Sequence, residues 1–157
     1  MNISPGPLRK TLISLTIALV ATTLSSCSAT VALEPAALAN DPSCAEVSVR
    51  LPTTVAGLDK RATNAQATGA WGEPTAVILR CGLEPVYASQ LVCVTSSGVD
   101  WLVDASKAPN YRFISFGRNP ATEVIVNSRL VSGARALDDL ALSITTIKQT
   151  RRCTQKG

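Results

Sequence analysis

Five cysteines, at positions 27, 44, 81, 93 and 153, constrain the fold of this 157-residue chain more than any other feature. Cys27 stands apart because it follows a short apolar run, whereas the other four are spread over the rest of the chain. An even number of cysteines in an exported protein is typical of disulfide bridges, which limit how segments can pack. Whether Cys27 joins the other four depends on the residues that precede it.

The residues before Cys27 have the three zones of a secretory signal. Arg9 and Lys10 supply positive charge, and residues 11–24 (TLISLTIALVATTL) form an uncharged apolar run. These 14 residues, at about 1.5 Å each in a helix, are too short to cross a hydrocarbon core of about 30 Å. Residues 1–26 are therefore predicted to be a signal peptide.

The junction Leu24-Ser25-Ser26-Cys27 resembles the bacterial lipoprotein signal, in which a branched apolar residue and two small residues precede a cysteine. In such signals the thiol is joined to a diacylglycerol and the chain is cleaved before the cysteine. The resemblance implies that Cys27 is lipidated and that membrane lipid holds the protein on the outer face of the cell membrane. The alternative is a secreted protein cleaved after Ala37-Leu38-Ala39, although that site lies 15 residues beyond the apolar run.

A low-charge segment follows the expected lipid site. Residues 28–43 (SATVALEPAALANDPS) have no regular apolar period, so residues 27–43 are predicted to be the lipidated cysteine and a flexible tether. Sixteen extended residues would reach about 50 Å. Residues 44–157 are predicted to form a single domain.

The charge and motif content excludes several classes of function. Residues 1–26 hold two of the 15 basic side chains and none of the 11 acidic ones, so the mature net charge is only +2, which argues against nucleic acid as a partner. The chain lacks histidine, a Gly-x-Ser-x-Gly turn, a phosphate loop and paired zinc-ligand cysteines. Asp138 and Asp139 are neighbours on a predicted helix and do not converge as a catalytic pair. We expect no catalytic residue, no metal and no cofactor.

A short helix and a long helix are predicted at the two ends of the domain. Asp41-Pro42 is typical of a helix start, and the helix must end before Pro52. Residues 51–70 are polar and small, which favours a surface connection. Ser132 is a candidate cap for the last helix, whose apolar stripe comprises Leu137, Leu140, Ala141, Ile144 and Ile147.

The middle of the chain predicts four or five strands, at residues 75–80, 91–95, 99–103, 111–116 and 123–127. Ser96-Ser97-Gly98 is typical of a tight hairpin turn. The expected fold class is α+β: a two-layer sandwich with a mostly antiparallel sheet of four to five strands and two helices packed on one face.

The four remaining cysteines allow three connectivities. We favour Cys44–Cys153, because two antiparallel helices would bring those positions together, and Cys81–Cys93, because they flank the connection between consecutive strands.

Four short motifs carry a resemblance to a known family. They are WGEP at 71–74, LRCG at 79–82, GVDW at 98–101 and GRNP at 117–120. In this order they are similar to an uncharacterised, alanine-rich family of actinobacterial exported proteins and lipoproteins, a domain of unknown function. The resemblance implies an envelope location and no established activity.

Two classes of function follow from the sequence. The first is a binding or interaction module whose partner is an envelope protein or a cell-wall component. The second is an enzyme, or an enzyme accessory, acting on cell-wall precursors. The candidate binding surface comprises Trp71, Arg80, Asp100, Trp101 and Arg118. For each of these residues a structural role is the alternative: half-buried indoles over the sheet ends, an Arg80–Asp100 ion pair, and a solvated Arg118.

Overall fold

The computed structural model describes residue 1 and residues 29–154. The rest of the predicted signal peptide and the predicted lipid site, Cys27, lie outside the described residues. Within the described part of the chain, no helix combines the length and the apolar character needed to span a membrane.

The domain is a single open sheet of eight antiparallel strands with one helix and one small helix. Its order is β1-β2-β3-β4-β8-β7-β6-β5. The elements are α1 (Pro42–Val49), β1 (Thr54–Val55), β2 (Leu58–Arg61), β3 (Thr68–Trp71), β4 (Val77–Leu83), β5 (Val92–Ser96), β6 (Val99–Asp104), β7 (Asn110–Ser115), β8 (Ala121–Asn127) and α2 (Gly133–Ile144). The expected two-layer α+β sandwich of four to five strands with two packed helices is therefore wrong.

Three strands lie in residues 51–70 and just beyond, where a surface connection was expected. Gly69 of β3 is a glycine for a reason: a Cβ atom there would lie 2.6 Å from the Trp71 ring, which folds back over that position. All four residues of β3 are buried, so the strand shows no polar alternation. A buried strand of this composition gives no period-2 signal, and the sequence pattern fails there.

The start of α1 is as predicted. Asp41 caps the helix, its side chain accepting a hydrogen bond of 2.8 Å from the Ser43 N–H, and Pro42 occupies the first turn. Cys44 and Val47 are the buried residues of the helix. The helix ends at Val49, before Pro52.

The long helix α2 fixes the shape of the sheet. Ser132 caps it, as predicted, but it ends at Ile144 and so is shorter than expected. It contacts β8 in the middle of the strand order and also β1 and β5 at its two ends, so the sheet curls around the helix. We call the side of the sheet that packs on α2 the helix face and the opposite side the outer face.

All four cysteines of the domain form disulfides, but the favoured pairing is wrong. The bridges are Cys44–Cys81, with Cα atoms 5.5 Å apart, and Cys93–Cys153, with Cα atoms 6.0 Å apart. Strands β4 and β5 follow each other in the chain, yet β8, β7 and β6 lie between them, which separates Cys81 from Cys93 by about 19 Å. The first bridge therefore ties α1 to the sheet, and the second ties the C-terminal segment to β5.

The described part of the expected tether packs against the sheet. Val31 forms an isolated parallel bridge with Thr63, and Ala29 accepts a hydrogen bond from Arg61 through its carbonyl oxygen. Further along, the Leu38 N–H donates to the carbonyl oxygen of Gly82 over 2.8 Å. Residues 29–39 are thus attached to the domain at several points.

Candidate functional site

The two tryptophans of the expected binding surface are core residues. Trp71 and Trp101 have no exposed surface. The Trp71 indole N–H donates to the carbonyl oxygen of Pro52 over 3.1 Å. Neither ring is available for stacking on a ligand in this structure.

The expected Arg80–Asp100 ion pair does not form. Arg80 pairs instead with Glu123, which is opposite it in the register between β4 and β8. Arg112 on β7 contacts the other carboxylate oxygen of Glu123, so one carboxylate with 1% exposure joins three strands on the outer face. Arg80 and Asp100 are kept apart because β8 and β7 lie between their strands.

Asp100 and Arg118 instead hold the C-terminal segment, residues 145–154. The Asp100 carboxylate accepts hydrogen bonds from the Gln149 side chain and the Cys153 N–H, each 2.8 Å long, and from the Thr95 hydroxyl. Arg118 donates to the carbonyl oxygen of Ile147. Both side chains are almost fully buried. They were expected near a ligand, and they lie instead beneath the segment that borders a cleft.

The electrostatics of this pair agree with a structural role. Burial opposes ionisation of Asp100, but hydrogen bonds from Thr95, Cys153 and Gln149 and the charge of Arg152 outweigh it, so the pKa of Asp100 lies below its ordinary value. Burial lowers the pKa of Arg118, and the negative charge of Asp100 partly offsets this effect. The carboxylate is therefore held ionised in a largely buried position.

Close backbone contact completes the attachment of the C-terminal segment. Gly117 has a φ of +69°, and a Cβ atom there would overlap the carbonyl oxygen of Arg151. The Gly117 carbonyl oxygen accepts a hydrogen bond of 2.7 Å from the Thr150 N–H. Gly117 is the glycine of the GRNP motif, and this crossing of two chain segments explains why a glycine stands there.

The C-terminal segment forms one wall of a cleft at the start of β5, which we call the β5 cleft. Its volume is about 600 Å³, within the range typical of ligand sites. The opposite wall is the loop between β4 and β5, and the floor includes the Cys93–Cys153 bridge. The lining residues are Tyr87, Ala88, Ser89, Gln90, Leu91, Val92, Cys93, Leu102, Phe116, Arg152, Cys153 and Thr154.

The β5 cleft combines exposed apolar surface with positive charge. Val92 is 69% exposed, and Tyr87 and Leu91 are each more than a third exposed. The Arg151 guanidinium lies over the Tyr87 ring, 5.2 Å from its centre, and Arg152 lines the cleft directly. None of the lining residues is acidic.

Two groups of residues at this cleft are visible in the sequence, but their pattern does not predict the cleft. Arg151 and Arg152 follow the apolar stripe of the predicted last helix, but α2 ends at Ile144 and both arginines belong to the C-terminal segment. Leu91 and Val92 fall in the strand predicted at residues 91–95, and that prediction does not show that they and Tyr87 line a cleft.

Comparison with known families gives one result. The model of a family described as a protein of unknown function, DUF3515, matches residues 10–153. The chain belongs to the DUF3515 family. No match was found to a curated protein or to a solved structure.

The arrangement in this DUF3515 protein is suited to binding. A preformed concavity, apolar side chains and two guanidinium groups can hold an anionic ligand that also has apolar parts. Residues 29–154 contain no cluster of three potential metal-ligating side chains. The groups at the DUF3515 cleft offer apolar contact and positive charge.

Proposed function

We propose that this DUF3515 protein is a lipid-anchored binding protein of the cell envelope. In this proposal Cys27 holds it on the outer face of the cell membrane, and the β5 cleft receives an envelope protein or a cell-wall component. It acts by binding and not as an enzyme.

The disulfides support an extracytoplasmic location. Both bridges join segments that are distant in the chain, with separations of 37 and 60 residues. Such bridges persist in oxidising compartments and are rare in the cytosol, where thiols are kept reduced.

The N-terminal sequence supports lipid anchoring. A basic start, a short apolar run and the junction Leu24-Ser25-Ser26-Cys27 occur in the order that a lipoprotein signal requires. The family match begins at residue 10, so the region matched to DUF3515 includes the apolar run and Cys27.

The single observation that carries the binding role is the construction of the β5 cleft. Its C-terminal wall is held by the Cys93–Cys153 bridge and by hydrogen bonds to the buried Asp100. A wall fixed in this way keeps the cleft open without a ligand, which reduces the ordering needed on binding. Exposed apolar residues in a fixed concave site are typical of an interaction surface.

The anchor is tested by metabolic labelling with an alkyne fatty acid. We expect the wild-type protein to incorporate the label and Cys27→Ala to lose it, leaving the protein released or as an unprocessed precursor. Cys153→Ser is the matched control, because it also removes one cysteine but should keep the label. Equal labelling of Cys27→Ala and wild type would contradict the anchor.

The cleft is tested by site-specific photo-crosslinking in cells. A photoreactive amino acid at Val92, in the cleft, should give a reproducible adduct with an envelope component. The same group at Leu142 is the control, since that side chain is 83% exposed, equally apolar and outside the cleft. Equal adducts at both positions, or none at Val92, would contradict binding at the cleft. A change in wall composition in a deletion strain without any adduct at Val92 would favour the enzyme or enzyme-accessory role.

A further inference from the structure

Strand β5 forms one edge of the sheet, and the β5 cleft opens beside its first residues. Among the described strands β5 pairs only with β6, so its other side has no strand partner. The β4–β5 loop and the C-terminal segment border only the start of the strand. Thr95, nearer its end, is exposed.

The hairpin turn determines which backbone groups face this free side. Ser97 and Gly98 both have positive φ angles, 46° and 79°, which is the two-residue type I′ turn. The flanking pair Ser96–Val99 is therefore a hydrogen-bonded pair, and bonded and non-bonded pairs alternate along the strand. It follows that the N–H and C=O groups of Cys93 and Thr95 point away from β6.

The two edge strands of the sheet differ in how well they are protected against pairing with a further strand. At the other edge β1 has only two residues, Thr54 and Val55, and follows Pro52 closely. Short strands and proline are common protection against unwanted pairing. Strand β5 has five residues, VCVTS, with no charge, no proline and no register shift in its pairing with β6. It is the edge that remains open to a further strand.

The charge beside this edge indicates the chemistry of the partner. Neither Arg151 nor Arg152 forms a salt bridge with a carboxylate within residues 29–154, and the cleft lining contains no acid. Tyr87, Leu91 and Val92 supply apolar contact at the same place. A segment that pairs with β5 would carry its first side chains into this apolar and positively charged site.

We propose that an extended acidic segment of another protein adds to β5 as a ninth strand. Its backbone pairs with the outward N–H and C=O groups of Cys93 and Thr95, and its carboxylates bind Arg151 and Arg152. This inference rests on the proposed function, because it names the kind of partner that the β5 cleft receives.

The test uses a displayed library of random ten-residue peptides, panned on the immobilised full-length mature protein in detergent. We expect enrichment of peptides that combine alternating Val, Ile and Thr with Asp or Glu. Thr95→Pro removes one outward N–H without removing a bond to β6, and it should weaken binding of an enriched peptide about tenfold. Arg151→Ala combined with Arg152→Ala should weaken binding at low salt and flatten its salt dependence.

Two controls separate pairing from general damage. Thr95→Val also loses the hydroxyl bond to Asp100 but keeps its N–H, so it is the reference against which the weakening by Thr95→Pro is measured. Arg129→Ala removes an exposed arginine outside the cleft and should have no effect. In the wild-type protein, amide exchange at Cys93 and Thr95 should slow when the peptide binds, a measurement that does not depend on the proline variant folding.

Several outcomes would overturn strand addition. They are enrichment of peptides that leave both amides unprotected, failure to enrich any peptide, and self-association of the chain through β5 that excludes peptides. A Val92 crosslink to a glycan or lipid without peptide binding would overturn strand addition and leave the proposed function standing. Absence of any Val92 adduct would count against the proposed function itself.

Discussion

Asp138 and Asp139 are adjacent on α2, yet they bind hairpins from opposite ends of the strand order. Asp138 accepts hydrogen bonds from the hydroxyls of Ser96 and Ser97 at the β5–β6 turn, and Asp139 accepts one from the Ala56 N–H at the β1–β2 turn. The two serine donors lower the pKa of Asp138. One helical turn thus connects both edges of the curled sheet.

Each of these carboxylates should stabilise only the hairpin turn to which it is hydrogen-bonded. Asp139→Ala should speed amide exchange at Ala56, which loses its acceptor, and leave the β5–β6 turn unchanged. Asp138→Ala should speed exchange at Val99 in the β5–β6 turn and leave Ala56 unchanged. Each variant is the control for the other in hydrogen exchange measured by mass spectrometry or NMR. A change at both turns in either variant would show that α2 itself has loosened.

The two disulfides should differ in their access to reductant. Cys44 and Cys81 are fully buried, whereas Cys93 and Cys153 are partly exposed in the β5 cleft. Limited reduction and differential alkylation should therefore open Cys93–Cys153 first. On a chain-entropy view, each bridge stabilises the fold by about 4 kcal/mol. Opening of Cys44–Cys81 first, or a digest linking Cys81 to Cys93, would contradict this assignment.

Asp100 should make stability depend on acid pH. Its pKa is lowered in the folded state, so its stabilising effect is present at neutral pH and is lost as the pH falls below about 4 through the folded pKa. Asp100→Asn should reduce the free energy of unfolding by about 2 kcal/mol at pH 7 and by less at pH 3. Urea unfolding at both pH values measures the difference. If the variant and the wild type differed by the same free energy of unfolding at both pH values, the charge of Asp100 would be excluded as the cause of the stability loss.

Gly117 should be needed for the position of the C-terminal segment. Gly117→Ala and Gly57→Ala both place a side chain at a positive φ, which destabilises by about 1 kcal/mol. Only at Gly117 does the added Cβ meet another segment, at Arg151, since nothing lies within 4 Å of that position at Gly57. Gly117→Ala should therefore unfold at lower urea than Gly57→Ala and expose the Thr150 N–H to exchange. If the two variants unfolded at the same urea concentration, this would contradict the close contact between Gly117 and Arg151.

Glu123 should be a stabilising centre of the outer face. Glu123→Ala leaves Arg80 and Arg112 without their shared acceptor, and we expect a loss of about 2 kcal/mol, because both arginines still reach solvent. Glu46→Ala is the control. It breaks the exposed Glu46–Arg50 pair and should change stability by less than about 0.5 kcal/mol. Urea unfolding measures the loss of stability in each variant. Similar losses in the two variants would mean that burial of Glu123 does not increase the stabilising effect of its ion pairs.

Local features of this fold could be predicted from the sequence. The Asp41 cap, the Ser97-Gly98 turn and the Ser132 cap each depend on a few neighbouring residues, and all three occur where expected. Strand order depends on contacts between distant residues. Nothing in the residues of β4 indicates that β8, and not β5, lies beside it. The disulfide pairing failed for this same reason.

The candidate site was predicted only in part. Asp100 and Arg118 do lie by the β5 cleft, but as buried supports of its wall. Trp71 is buried although the sequence predicts it at a surface, because residues 51–70 have the pattern of a loop but form β1, β2 and the first three residues of β3. The C-terminal segment was expected to continue α2, and its return to β5 depends on Gln149 and Cys153 reaching Asp100, some 50 residues away.

The attachment of residues 29–31 to the β2–β3 connection also limits the distance between the domain and the membrane. If Cys27 carries the proposed lipid, only Ser28 separates it from Ala29, whose carbonyl oxygen is bound by Arg61. Two residue steps span at most about 7 Å. The protein would then rest against the headgroup layer with little rotational freedom, and it would meet only those partners that come to the bilayer surface. The greatest distance from the membrane at which it could bind a partner would be about the thickness of the domain itself.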